Sequence, residues 1–371
     1  MVSAFWIGEG DLDEFQKKAV GGMGATESFL LTGPAGSGKT NILLLRAKWL
    51  KLKNISNFKI VVFTASLREF FQHGCIQYDL PADYAVTAMQ LFRELLAEYG
   101  LEAESTGNFE EDRSLLAGVL KSFITENGIE DIFEALLIDE AQDYTDTELF
   151  IFRSLAERLV IAADSRQSIY RVAQTPGLME NLVDGNVVRL KYHYRSGHNI
   201  CLVADGINKD YITYPHITGE CKYDEAARPS SVSKLQCDTF QSQVSEIISK
   251  LHEELLLYPG EKIGVFFPRA NQVAEFKNSL SVSALPDKDR VITWTLHSSK
   301  GWEFRSVHIG GCEALPQMRA TQKRLTYTGI LRGKTSVSLY YSGSIPGYLE
   351  SALRVLSPPA ADPSFDNLFG V

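Results

Sequence analysis

The sequence predicts an α/β protein of two lobes, each a parallel, doubly wound sheet. Three observations lead there. Short β-rich apolar runs alternate with longer segments of helical apolar spacing, and the alternation occurs twice along the chain. A length of 371 residues suggests two domains at roughly 150 residues each. A glycine-rich loop lies between the first strand and the first long helix, where a phosphate-binding turn belongs.

In the first half the expected strands are Ser28–Thr32, Lys59–Thr64, Ala135–Asp139 and Leu159–Ala163, separated by helical patterns such as Thr40–Leu50 and Ala88–Tyr99. In the second half Val232–Thr239, Ile263–Phe267, Val291–Thr295, Val307–Gly310 and Ser336–Tyr341 read as strands, with helices at Gln241–Leu256 and Asn271–Leu280. Two polar stretches, Glu102–Asp112 with Gly107 and Tyr223–Ser231 with Pro229, read as surface connections. The lobes are expected at 1–190, with a short helical insertion near 95–134, and at 191–345. Residues 346–371 then form a helix and a flexible tail, since Pro358, Pro359 and Pro363 precede Phe365.

Hydrophobic residues make up 44% and charged residues 22%, enough apolar surface for each half to bury a core, which excludes disorder and a collagen-like fold. No apolar run approaches the roughly 20 residues of a membrane span, and Met1–Gly10 lacks the features of a signal peptide, so a soluble, cytoplasmic chain is expected. The five cysteines are scattered with no CxxC pair, and neither a disulfide framework nor a zinc site follows. The net charge of -9 argues against binding nucleic acid by bulk charge. It leaves open a local basic groove or base stacking.

Gly33, Pro34, Ala35, Gly36, Ser37, Gly38, Lys39 and Thr40 fit GxxxxGK[ST]. The glycines let successive backbone N–H groups curl around phosphates at a helix N-terminus, Lys39 adds a point charge, and Thr40 offers a hydroxyl to Mg2+. About 100 residues on, Leu136–Ile138 is an apolar run ending in Asp139 and Glu140. Asp139 can hold Mg2+ and Glu140 can orient or deprotonate an attacking water, which makes ATP and Mg2+ the expected cofactors.

The continuation Ala141, Gln142, Asp143 makes this segment resemble motif II of superfamily 1 helicases, specifically the UvrD/Rep-like group. Other motifs follow in order. Phe15-Gln16 resembles the Q motif, which implies that Gln16 reads adenine. Val62-Phe63-Thr64 resembles motif Ia and Val86-Thr87 motif Ib, which implies that Phe63, Thr64 and Thr87 line a single-strand path. Ala163 to Tyr170 is similar to motif III, with Gln167 as the γ-phosphate sensor and Tyr170 on DNA. Tyr192 to Ser196 is similar to motif IV, so Tyr194 would stack on adenine and Arg195 would reach the γ-phosphate. Thr295 to Phe304 is similar to motif V, with Thr295 and His297 at DNA and Glu303 at the ribose. Arg324 to Arg332 resembles motif VI, whose last arginine, Arg332, would be the finger. The resemblance spans about residues 11 to 342 and implies two RecA-like lobes with the nucleotide in the cleft between them. Phosphoryl transfer needs positive charge on the equatorial oxygens, and Lys39 lies in the first half while Arg195 and Arg332 lie in the second.

The resemblance implies an ATP-dependent 3'-to-5' translocase or helicase on single-stranded DNA. Several positions depart from the family. Asn41 replaces the arginine common after the phosphate loop, Ala65-Ser66 replaces Asn-Lys in motif Ia, and Arg171-Val172 follows Tyr170 where a tryptophan is usual. This thinner DNA face supports an alternative, an ATP-driven switch or regulatory subunit working with a nuclease or other partner. Phe63 reads equally as a core strand residue and His297 as a satisfied polar residue at a helix start; Trp6, Trp294 and Trp302 read as core. The gaps Leu95–Ala135 and Ser281–Arg290 are too short for the duplex-gripping subdomains of larger relatives, so weak unwinding is expected. Ser364–Phe369 reads either as a docking motif for a protein partner (nuclease, polymerase clamp or other DNA-processing subunit) or as a disordered end without a role.

Overall fold

The structure, a computed structural model, describes residues 8–167, 172, 174–209 and 215–356. Trp6, Tyr170 and the segment Ser364–Phe369 lie outside the described residues. The chain divides into two compact units, Met1–Tyr194 and Arg195–Val371. The sequence-based boundary at 190/191 falls four residues before this division.

In unit 1, α1 (Glu14–Lys17) continues into a π-helical turn, Lys18–Gly22, and leads to β1 (Phe29–Thr32) and α2 (Lys39–Leu52). Then come β2 (Phe58–Val62), α3 (Ala65–Gln77), β3 (Ala85–Thr87), α4 (Ala88–Glu98), α5 (Phe109–Asn127), β4 (Ala135–Ile138), α6 (Asp146–Leu155), β5 (Leu159–Ala163), α7 (Leu178–Asn181) and β6 (Val187–Arg189). The strands form one parallel sheet in the order β3-β2-β4-β5-β1-β6. Strand residues alternate between its faces. Phe29, Leu31, Ile60, Val62, Leu137, Val160 and Ala162 pack with Ile42, Leu43, Ala47 and Phe71 of α2 and α3. Leu30, Val61, Leu136, Ile138, Leu159, Ile161 and Ala163 pack with Leu91, Phe92, Leu116, Leu120, Leu149 and Phe152 of α4, α5 and α6. Burial on both faces explains why these strands read as continuous apolar runs in the sequence.

Two local readings are corrected. The strand expected at Lys59–Thr64 ends at Val62, because Thr64 turns out of the ladder and its side chain accepts the N–H of Leu67 as N-cap of α3. The acidic stretch Glu102–Asp112 is not all connection. Asn108 caps α5, and Glu110, Glu111 and Asp112 occupy its first turn, where carboxylates complement the helix dipole.

In unit 2, α8 (His198–Ile207) precedes β7 (Ser231–Cys237), α9 (Phe240–Leu257), β8 (Ile263–Phe267), α10 (Ala270–Val282), β9 (Val291–Thr295), β10 (Phe304–Ile309), α11 (Gln322–Ile330), β11 (Gly333–Ser342) and α12 (Gly347–Leu353). Its sheet is also parallel, in the order β7-β11-β10-β8-β9. The strand expected at Val307–Gly310 begins earlier, at Phe304. Val244, Ile247, Leu251, Phe276 and Leu280 of α9 and α10 cover Ile263, Val265 and Phe267, while α8 packs on β7 and β11. Among the described residues no helix is long and apolar enough to cross a membrane.

Candidate active site

All strands of the unit 1 sheet run the same way, so the loop after β1 and the acids after β4 and β5 emerge at one carboxyl edge, the edge at which open α/β sheets bind ligands. Gly36 and Gly38 have φ of 77° and 89°, a backbone region that lets the loop curl, and Gly38 is the N-cap of α2. Gly33 is confined by space instead: a Cβ there would stand 2.7 Å from Ser37 Oγ and 2.9 Å from Leu190 Cβ. Lys39 folds back into the loop, its Nζ donating to Gly33 O at 2.8 Å and Pro34 O at 3.1 Å. Ser37 Oγ is buried with no hydrogen-bond partner among the described residues, an unsatisfied group that fits a phosphate ligand.

Thr40 Oγ1 donates to Asp139 Oδ2 at 3.2 Å, joining two residues 99 apart in sequence. Burial, and then the neighbouring Glu140, push the Asp139 carboxyl up to about 7. Burial likewise lowers Lys39, against the opposing pull of Asp164, Glu140 and Asp139. Glu140 turns the chain out of β4 with φ 53°, a left-handed conformation unusual for a residue with a Cβ. Its Oε2 accepts from Gln142 Nε2, and Gln142 Oε1 accepts the N–H of Asp164 at 3.0 Å. Gln167 Nε2 donates to Asp164 Oδ2 at 2.9 Å, and Arg166 Nε to Oδ1 at 3.2 Å. Burial alone would raise Asp164, but Arg166, Lys39 and these hydrogen bonds outweigh it and keep the carboxylate ionised.

Gln16 is buried and joins the loop directly, donating from Nε2 to Ser37 O at 3.1 Å. It is also the second half of a capping box with Asp13, whose other oxygen accepts the Tyr194 hydroxyl at 2.6 Å. Tyr194 N–H donates to Gly36 O at 3.0 Å, and His193 Nδ1 meets Ala35 O, so the end of unit 1 is laced to the phosphate loop. Asn41 accepts the Tyr78 hydroxyl at 3.1 Å.

A second cluster lies in unit 2. Arg195 Nη2 pairs with Glu303 Oε1, and Lys334 Nζ approaches Glu303 Oε2 at 3.2 Å. Burial would raise Glu303, but Arg195, Lys334 and Arg332 hold its carboxyl down at about 2. Nε and Nη1 of Arg195 are buried without hydrogen-bond partners among the described residues, two donors that an anionic oxygen would satisfy. Arg332 is buried, donating from Nε to Thr328 O at 3.1 Å and from Nη1 to Trp302 O at 3.4 Å.

The residues expected at DNA stand in three places. Thr64 and Thr87 cap α3 and α4, accepting Leu67 N–H at 3.2 Å and Gln90 N–H at 3.1 Å, and Arg68 Nη1 bridges to Gln90 Oε1 at 2.8 Å. Phe63 is half-buried, edge-on to Tyr144 and Phe109, with the Arg113 guanidinium 4.8 Å from its ring centre. Thr295 closes a turn after β9 by accepting Ser298 N–H at 3.2 Å; His297 beside it is half-buried, and burial lowers its pKa.

Asp13, Asp164 and Lys334 belong to these clusters but were not among the expected site residues. Asp13 was detectable, since Asp-x-x-Gln before a helix is a capping-box pattern. Lys334 carried no signal, because its partner Glu303 is 31 residues away. No curated protein matches the chain. Residues 24–174 match the family described as AAA domain, a span that contains the phosphate loop, Asp139, Glu140 and Gln167. The first unit thus contains an AAA-type P-loop NTPase domain, which suggests ATP hydrolysis.

Proposed function

We propose that the chain is an ATP-dependent translocase on single-stranded DNA, of the UvrD/Rep-like kind and with 3'-to-5' polarity, in which two RecA-like lobes close on ATP. The Thr40–Asp139 hydrogen bond, with Lys39 folded into the phosphate loop, supports the ATP-hydrolysing part of this reading most directly. Thr40 and Asp139 would hold Mg2+, which when bound offsets negative charge on the β- and γ-phosphates. Glu140 orients water, Gln167 senses the γ-phosphate through Asp164, and Gln16 and Tyr194 hold the base. Arg195 and Arg332 supply charge to the transition state, with Glu303 at the ribose. The capped N-termini of α3 and α4, with Thr64 and Thr87, would receive backbone phosphates at the same sheet edge. Tyr170, Phe63, Thr295 and His297 complete the proposed strand path.

One observation favours the second reading, an ATP-driven switch working with a nuclease or other partner. Phe63 is already packed by Tyr144, Phe109 and Arg113, which leaves less ring surface for a base. ATP turnover measured with and without single-stranded DNA separates the two. Strong stimulation supports a motor; turnover indifferent to DNA supports the switch; absence of turnover with Mg2+ and ATP rejects both. Directional displacement of a labelled single strand tests the polarity.

A further inference from the structure

Two of the five cysteines, far apart in sequence, converge on one backbone atom. Cys201 Sγ, in the first turns of α8, lies 3.4 Å from Ser196 O, and Cys221 Sγ, after the turn Thr218–Glu220, lies 3.5 Å from the same oxygen. The sulfurs are therefore no more than about 7 Å apart. All five cysteines are free thiols, with Cys201 buried and Cys221 half-buried. Ser196 follows Arg195 directly, and Arg195 bears the ion pair to Glu303.

The two sulfurs have unequal chemistry. The neighbouring Cys201 thiol brings Cys221 down to about 7, whereas the nearby Cys221 and burial push Cys201 up. Thiolate character with partial exposure marks an attacking cysteine, and a protonated neighbour marks its resolving partner.

We propose that Cys201 and Cys221 are a reversible dithiol–disulfide pair that reacts with hydroperoxides and sets the position of Arg195. Cys221 sulfur attacks one peroxide oxygen and breaks the O–O bond. This leaves Cys221 sulfenic acid and releases water, or an alcohol from an organic peroxide. Cys201 sulfur then attacks the sulfenic sulfur, forming the S–S bond and releasing water. Two electrons pass from the sulfurs to the peroxide, and an external dithiol returns them. Oxidation draws the two sulfurs beside Ser196 O together to about 2.05 Å, which pulls on the segment carrying Arg195.

The consequence for turnover rests on the role proposed for Arg195, and the test separates the two claims. The full chain is treated with hydrogen peroxide, its remaining thiols are blocked with N-ethylmaleimide, and it is digested without reductant for mass spectrometry. The expected product is a Cys201 peptide joined to a Cys221 peptide, two hydrogens lighter than their sum, absent from Cys221→Ser and lost after dithiothreitol. ATP turnover should fall roughly 10- to 100-fold on oxidation, the scale of a misplaced catalytic group, and recover on reduction. Cys221→Ser should resist the fall. Peptides without the link, blocked or over-oxidised at each sulfur, overturn the pair. A link with unchanged turnover overturns the coupling to Arg195. The linked mass is read whether or not the protein hydrolyses ATP, so failure of the ATPase reading leaves this arm decisive.

Discussion

Replacing Arg113 with methionine keeps an unbranched apolar stem but removes a guanidinium that ties α5 to the chain following Glu140. The Arg113 side chain is 5% exposed and that of Glu148 2%. Arg113 Nε donates to Glu148 Oε1 at 2.7 Å, Nη2 to Glu148 Oε2, and Nη2 also to Asp143 O at 2.7 Å. Removing one partner of a buried ion pair costs about 3 to 5 kcal/mol, because the other charge is left uncompensated. Thr145 N and Oγ1 still donate to Glu148 Oε2, at 2.8 and 2.9 Å, which places the cost near the lower end, about 3 kcal/mol. For a unit of this size that lowers Tm by roughly 6 to 12 °C, measurable by calorimetry. A Glu148→Leu change on top should recover part of the loss, since both charges then leave together. Freeing Asp143 O also loosens the turn that holds Glu140, so turnover should fall more than ATP affinity. A loss below about 1 kcal/mol, or strict additivity in the double variant, refutes this account of the pair.

At the phosphate loop, Lys39→Ala should abolish most ATP binding while Glu140→Gln binds ATP and does not turn it over; calorimetric titration and steady-state hydrolysis check both, and normal turnover in Glu140→Gln removes its water-positioning role. Arg332→Ala should lower turnover by orders of magnitude with little change in ATP affinity, a loss felt mainly in the transition state. Weakened affinity with normal saturated turnover would make Arg332 a ground-state ligand instead. Glu303 sits at about 2, against an ordinary value of 4.5, so its folded-state stabilisation is complete above pH 4.5 and is lost as the pH falls through 2. That gap is worth on the order of 3 kcal/mol, so urea unfolding of Glu303→Gln between pH 6 and 2 should be flatter than that of the native chain, and parallel profiles would count against the pairing.

The phosphate loop, the apolar strands of the parallel sheets and the paired acids after β4 were legible in the sequence because each is specified by neighbouring residues. A loop that needs φ of 77° and 89° needs glycine at those positions, and a strand covered on both faces must be apolar throughout. Thr64 was misread as strand because alternation does not reveal where a hydroxyl will leave the ladder to cap a helix. The pairings that give the site its electrostatics depended on tertiary structure. Asp13 meets Tyr194 across 181 residues, Arg195 meets Glu303 across 108, and Arg113 meets Glu148 across 35. None has a local pattern, because a carboxylate and its distant donor are equally acceptable to water on any exposed turn. Assembly of the tertiary fold brings the two ends together, and where both are buried, as at Arg113 and Glu148, either charge left unpaired would be costly.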